Sequence, residues 1–266
     1  MKNICVSNTR IYPIKSLDYM ELNSVIASNY SLLNDRRFAL FSDDAKYING
    51  KRTGRVNQLK TEYDLENNTI TLSERESAKK YSFDLNPNNT ELLSYLSDFF
   101  AMNVSLKESQ NGELMDMPQK GSVTIMSKAS IESIHHDFPE LTIEDLRSRF
   151  RNNIELDNAP AFWEETLFGD STTGIEFKIG DVKMFGMKPC ARCNVPPRNP
   201  LTGETDKTFV KRMLESRERS LPKGSKLHDF KNLYHLTLAA YLPKSEVGKV
   251  IRLGDEVKVL GPIKLK

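Results

Sequence analysis

The paired runs Leu59-Lys60-Thr61-Glu62-Tyr63 and Thr69-Ile70-Thr71-Leu72, separated by Glu66-Asn67-Asn68, alternate in character from one residue to the next. A period of two is that of a pleated strand with one face buried, and an Asn-rich break is a turn because Asn tolerates left-handed backbone. The same signals extend outward: Tyr47-Ile48-Asn49 reads as another strand and Asn86-Pro87-Asn88-Asn89 as another turn. Together they predict a small antiparallel sheet or barrel. Thr90 is placed to cap a helix through Leu92, Leu93, Tyr95, Leu96, Phe99 and Phe100, whose apolar side chains recur at helical spacing. That helix closes a first unit over residues 1–107.

Residues 108–120 lose this periodicity and gain turn residues, in Gln110-Asn111-Gly112-Glu113 and Met117-Pro118-Gln119-Lys120-Gly121. They predict a linker or an ordered crossing loop, opening a second domain over 108–266. Ser122-Val123-Thr124-Ile125-Met126 reads as a strand, with Ser127 capping a helix that carries Ile131 and Ile134. Further strands are expected at Asn153-Ile154-Glu155-Leu156, Glu176-Phe177-Lys178-Ile179, Val182-Lys183-Met184-Phe185 and Val257-Lys258-Val259-Leu260. The fold class is therefore α+β, rich in β, with two domains.

Composition narrows the function. The 266 residues are 38% hydrophobic and 28% charged, with a net charge of +2 and both signs interspersed, which speaks against a clustered nucleic-acid surface. No apolar run approaches the roughly 20 residues of a membrane span, and the N-terminus lacks a signal peptide's apolar stretch. A cytoplasmic protein is expected. Three cysteines, one far from the other two, do not form a disulfide framework and are expected to be reduced.

Chemistry concentrates in Pro189-Cys190-Ala191-Arg192-Cys193, followed by Asn199-Pro200-Leu201-Thr202-Gly203-Glu204. Cys193 can offer a thiolate to a soft metal, and Arg192 beside it favours that charged form. The plainer alternative is a pair of half-buried cysteines ending a strand. Tyr12-Pro13-Ile14-Lys15-Ser16 sets a cation and a hydroxyl after an apolar strand. Asn34-Asp35-Arg36-Arg37 precedes another strand, and in Arg149-Phe150-Arg151-Asn152-Asn153 alternation would aim Arg151 and Asn153 in one direction. Cations at three strand entrances fit an anionic ligand, although ordinary surface charge also produces such a list. A zinc site of Cys190, Cys193 and two histidines is disfavoured: His135 and His136 are adjacent on one helix, and His228 and His235 fit no common spacing.

Taken in order, Tyr12-Pro13-Ile14-Lys15-Ser16, Asp35-Arg36-Arg37-Phe38, Ser127-Lys128-Ala129-Ser130, Phe150-Arg151-Asn152-Asn153-Ile154 and Cys190-Ala191-Arg192-Cys193 resemble the MOSC family over nearly the whole chain. The name refers to the C-terminal domain of molybdenum cofactor sulfurases. The layout is similar to that of the mitochondrial amidoxime-reducing component, with an N-terminal β-barrel domain packed on a MOSC β-barrel that carries peripheral helices. The resemblance implies a molybdenum cofactor (molybdopterin) with Cys193 as metal ligand and catalytic residue, and Cys190 structural or nearby. It implies that Lys15, Ser16, Arg36, Arg151 and Asn153 hold the pterin and its phosphate, and that Arg192, Ser127 and Ser130 touch the cofactor.

This sequence departs from the family in having Asn194-Val195-Pro196-Pro197 where a pair of threonines is usual, and Asn152 where proline is common. Neither an iron–sulfur cluster nor pyridoxal phosphate is expected on this chain, so electrons should come from another protein. The function implied is a molybdenum-dependent oxidoreductase that reduces small N-hydroxylated or otherwise N-oxygenated molecules. The alternative is a carrier that delivers cofactor, or sulfur held as a cysteine persulfide, to another enzyme.

Overall fold

The computed structural model describes residues 2–264 apart from 30, 110, 117–120, 171, 224 and 231, and apart from the side chains of 228 and 229; the expectations placed on Gln110, on Met117 to Lys120 and on the His228 side chain lie outside the described residues. Strands β1 (Cys5–Ile11), β2 (Met20–Leu22), β3 (Ser24–Ile26) and β4 (Phe38–Ser42) come first. A single helical turn, α1 (Arg55–Gln58), leads to β5 (Leu59–Asp64), β6 (Thr69–Glu74), β7 (Tyr81–Asp84), α2 (Thr90–Phe100) and β8 (Val104–Glu108). The second half runs β9 (Val123–Ser127), α3 (Lys128–Asp137), α4 (Ile143–Phe150), β10 (Ile154–Asp157), β11 (Thr173–Ile179), β12 (Val182–Ala191), α5 (Phe209–Ser220), β13 (His235–Tyr241), β14 (Val250–Arg252) and β15 (Val257–Lys264). The protein is α+β and strand-rich, as its alternation predicts.

In β6 the alternation is visible as burial, with Ile70 and Leu72 inward and Thr69 and Thr71 half exposed. The three-stranded sheet β5-β6-β7 and the pair β4-β8 pack with α2, which buries Leu92, Leu96, Phe99 and Phe100. Each such side chain contributes about 1.5–3 kcal/mol of transfer free energy. The cap of α2 is Asn89 rather than Thr90: its side-chain oxygen accepts from Glu91 N at 3.0 Å and Leu92 N at 3.1 Å, leaving Thr90 inside the first turn. Tyr47-Ile48-Asn49 is also not a strand. Tyr47 makes one bridge to Phe41, and the chain then turns as Arg52 N and Thr53 N both donate to Asn49 O.

The larger sheet has the order β15-β11-β12-β13-β9-β10-β1-β2. Within it β9 and β10 are parallel, and α3 with α4 supplies the crossover that a parallel pair needs. Strand β1 lies antiparallel to β10, pairing Thr9 with Ile154, so the chain's first strands belong to the sheet built by its second half. The core of β4 to β8 begins only at Ile14. The expected boundary at 107/108 falls inside β8, before its last residue Glu108, and the segment between β1 and β4 crosses from one core to the other. Part of the predicted linker is an ordered crossing, with Leu114 packed on Ala39 and Phe41.

Candidate functional site

A cavity of about 320 Å³ opens where the crossing segment, the end of α4, the end of β12 and the loop after β4 meet. Six cationic side chains line it (Lys15, Arg36, Lys51, Arg149, Arg151 and Arg192), and among the described residues Asp116 is the single lining carboxylate. Cys190 and Cys193 share the same wall, the first buried and the second exposed.

Lys15 and Ser16 are set by a short parallel bridge: Lys15 N donates to Phe38 O and Phe38 N to Pro13 O. The chain then turns through left-handed backbone at Ser16 (φ 72°) and again at Arg36 (φ 50°). The Lys15 ammonium donates to Leu114 O at 2.8 Å and to Asp116 Oδ1 at 2.6 Å, and lies 4.4 Å from the Tyr47 ring centroid. Burial pushes the Lys15 pKa down, with Asp116 opposing that shift. Burial works against the Asp116 carboxylate too, but Lys15 and Lys51 hold its pKa below the usual value.

Arg36 is gripped by Asp35 through Nη1 at 2.5 and 2.6 Å, and both Arg36 and Arg151 lie over the Tyr12 ring, at 4.3 and 4.1 Å. Arg151 is the left-handed C-cap of α4 (φ 53°), donates to Leu17 O at 2.8 Å and forms no salt bridge with a carboxylate among the described residues; burial lowers its pKa, with Tyr12 and, at longer range, Asp18 opposing the shift. Arg149, two residues and so about half a turn of α4 earlier, reaches the other side of the cavity and donates to Pro196 O and Arg198 O, both at 2.7 Å. Its Nε is buried without a hydrogen-bond partner among the described residues, as is that of Arg192. Arg192 donates from Nη2 to Phe150 O at 2.9 Å. A cation held away from water without an anion costs on the order of several kcal/mol, so this arrangement is built for a ligand that brings negative charge.

The loop after Cys193 docks on the N-terminal half. Arg198 Nε donates to Gly50 O at 2.7 Å, Asn194 Nδ2 to Lys51 O at 3.2 Å, and Gln58 Nε2 to Thr202 O at 2.9 Å. Asn199 Oδ1 turns the chain by accepting from Leu201 N and Thr202 N. Gly203 (φ 77°) is required here, because a Cβ would stand 2.1 Å from Gly54 O. Val195 and Pro196, at the departure from the family pattern, line the cavity.

The structure brings Lys15, Ser16, Arg36, Arg151, Arg192 and Cys193 together at this cavity. It does not bring Ser127, Ser130 or Asn153, expected as cofactor contacts, to the cavity wall. Ser127 is the N-cap of α3, as its position predicts, but its hydroxyl faces Ser130 Oγ at 2.7 Å and Pro160 O at 3.1 Å. Ser130 Oγ donates to Glu164 Oε2 at 2.9 Å. Both serines are fully buried, so this network is internal. Asn153 does not share a direction with Arg151 either, because Arg151 ends a helix instead of starting a strand. The Asn153 amide is 1% exposed, accepts from Thr124 N and donates to Arg10 O and Asp35. Lys51, Asp116 and Arg149 are cavity residues that sequence reasoning missed. Only Arg149 carried a signal, two residues before Arg151 on the same helix end.

Comparison with known proteins agrees with this layout. Residues 3–112 match the family model described as the MOSC N-terminal beta barrel domain, and residues 115–258 that described as the MOSC domain. The molybdenum cofactor sulfurase of Caenorhabditis briggsae is 25% identical over 153 residues, which is 57% of this chain and 18% of that protein. That of Homo sapiens is 23% identical over 266 residues, covering 82% of this chain and 29% of that protein. The chain thus spans less than a third of either relative. The crystal structure of the YUAD protein from Bacillus subtilis superposes with a TM-score of 0.40 at 10% identity, over 97% of this chain and 96% of that one.

Proposed function

The chain belongs to the MOSC family, and from that premise we propose that its cation-lined cavity binds a molybdenum cofactor, with Cys193 as the thiolate ligand of the metal. One observation carries the reading: among the described residues, six cations face one carboxylate in a cavity that also presents an exposed thiol. A pterin dithiolene bearing a phosphate matches that donor set, offering anionic oxygens to guanidinium and ammonium groups and a soft metal to a thiolate. Lys15, Ser16, Arg36 and Arg151 would hold its anionic end. Arg192 would hold the end near Cys193.

The cofactor, when bound, supplies a two-electron redox centre. The finer reading is an oxidoreductase that removes oxygen from a small N-hydroxylated base: the N–O bond breaks, two electrons and two protons enter, and the products are the N–H compound and water. The chain's own residues position, and Asn153 and Asp35 keep Arg36 in place for that. Electrons would come from a separate protein.

A second reading is favoured by the pair of thiols on one wall: Cys193, exposed beside buried Cys190, suits a persulfide carrier that hands sulfur or cofactor to another protein. Anaerobic incubation with an N-hydroxylated amidine and an artificial electron donor, alongside an assay for cyanide-labile sulfur, separates the two. Reduction that disappears in Cys193→Ala supports the oxidoreductase. Labile sulfur on Cys193 without reduction assigns the carrier.

A further inference from the structure

Strand β13 contains an irregularity beside the two thiols. Its register with β12 pairs Pro189 with Leu238 and Ala191 with His235, so Leu236 and Thr237 together oppose the single residue Cys190. This is a β-bulge, a device that re-aims a side chain. At its centre Thr237 has φ 74°, and it is the one β-branched residue with positive φ among the described residues. Two substituents on Cβ make that conformation costly, and such outliers persist where surrounding structure enforces them and gather at functional sites. Ser16, Arg36 and Arg151, all cavity residues, also sit on positive-φ backbone.

The re-aimed group is a hydroxyl. Thr237 is 4% exposed, and its Oγ1 accepts from Arg192 Nη2 at 3.3 Å. The same nitrogen donates to Phe150 O at 2.9 Å, with the guanidinium 5.3 Å from the Phe150 ring centroid. Nη2 is thus committed on both sides, to the end of α4 and to the bulge. Nη1 makes no hydrogen bond to the described residues, and Arg192 lies within electrostatic range of both Cys190 and Cys193.

We infer that Thr237 is a positioning residue of this site: its bulge-borne hydroxyl clamps Arg192 so that the guanidinium stays beside Cys193 and faces the ligand. The inference rests on Cys193 and Arg192 forming one site, and not on which ligand fills it.

The test needs no cofactor. Cys193 is alkylated with anionic iodoacetate and, separately, with neutral iodoacetamide, and the two rates are read by fragment-ion mass spectrometry, which locates the added group on Cys193 or on Cys190 in every variant, Arg192→Gln included. The rate ratio cancels the thiol's own protonation and accessibility, and reports the cation held beside it. Arg192→Gln sets the floor. Wild type is expected to exceed that floor several-fold, Thr237→Ser to stay with wild type, and Thr237→Val and Thr237→Gly to fall to the floor. Thr237→Gly, which relieves the strained backbone, is expected to melt no lower than wild type, so a lost ratio in it is not a folding defect. A wild-type ratio equal to that of Arg192→Gln overturns the inference. So does a wild-type ratio retained in Thr237→Val or Thr237→Gly, or one lost in Thr237→Ser. Because the ratio is read on cofactor-free protein, its failure is distinct from a failure to retain molybdenum.

Discussion

The Asn153 amide donates to the Asp35 carboxylate at 3.1 Å, joining the start of β10 to the segment that presents Arg36 to the cavity. Asp35 also accepts from Tyr12 N at 2.8 Å and Ser31 Oγ at 3.3 Å, and its side chain is fully buried against Arg36. Asn153 thus acts on the site through Asp35. Asn153→Ala leaves buried partners unsatisfied and is expected to cost about 1–3 kcal/mol. Asp35→Asn, which breaks a buried ion pair, is expected to cost about 3–5 kcal/mol. Urea denaturation measures both losses, and pterin content should fall in both variants. An Asn153→Ala protein of unchanged stability would refute the linkage.

Glu164 gives the protein a pH dependence near neutrality. It is 1% exposed, and burial pushes its carboxyl up to about 7 from the ordinary 4.5 of a free glutamate, with Glu165 adding to the rise and hydrogen bonds from Ser130 and the Ser127 backbone opposing it. Between those two values the folded state binds more protons than the unfolded state, so stability falls as pH rises through the folded value. The stability contributed by the protonated form is fully present below about 4.5 and lost above 7. Glu164→Gln, a neutral isostere, is expected to be more stable than wild type at pH 8 by about 3 kcal/mol, with the difference vanishing below pH ~4.5. Urea midpoints measured across that range check this. Parallel curves for the two proteins would contradict it.

Asp116 competes with any anionic ligand for Lys15 and Lys51, which it meets at 2.6 and 3.4 Å. Asp116→Asn should therefore tighten binding of inorganic phosphate several-fold, and Lys15→Met should weaken it by a similar factor. Calorimetric titration at low and high salt measures this, and both effects should shrink as salt screens the exposed side of the pair. Phosphate affinity indifferent to both changes would remove Asp116 from the site.

The contact between Gly203 and Gly54 locks the loop after Cys193 onto the first half of the chain. Gly203→Ala meets both a carbonyl 2.1 Å away and a left-handed backbone, and is expected to cost about 1–3 kcal/mol. The melting temperature reports the loss, and a fall in cofactor retention should accompany it because Val195 and Pro196 line the cavity.

How much of this was legible in the sequence depends on whether the cause was local. The alternation in β5 and β6, the helix of Leu92 to Phe100 and the Ser127 cap follow from neighbouring residues, and the structure contains all of them. The choice of Asn89 over Thr90 differs by one residue, because both side chains can accept from an open helix end. The place of β1 in the second sheet was hidden, since its partner lies about 150 residues away and no local pattern encodes that pairing. At the site, the cysteine pair and the cations Lys15, Arg36, Arg151 and Arg192 stood in readable blocks. Ser127, Ser130 and Asn153 stood in the same blocks but spend their polar atoms inside the protein. Lys51 and Asp116 come from loops without periodicity, and Thr237 is distinguished only by a backbone angle.

The central claim is that this cavity binds a molybdenum cofactor through Cys193. The most direct test is molybdenum and pterin content, by elemental analysis and oxidised-pterin fluorescence, on protein purified anaerobically from a cofactor-competent host, wild type beside Cys193→Ala. Near-stoichiometric molybdenum and pterin in wild type, with the metal lost from Cys193→Ala, is the predicted result. Wild-type protein with neither, or metal retained without Cys193, would contradict it.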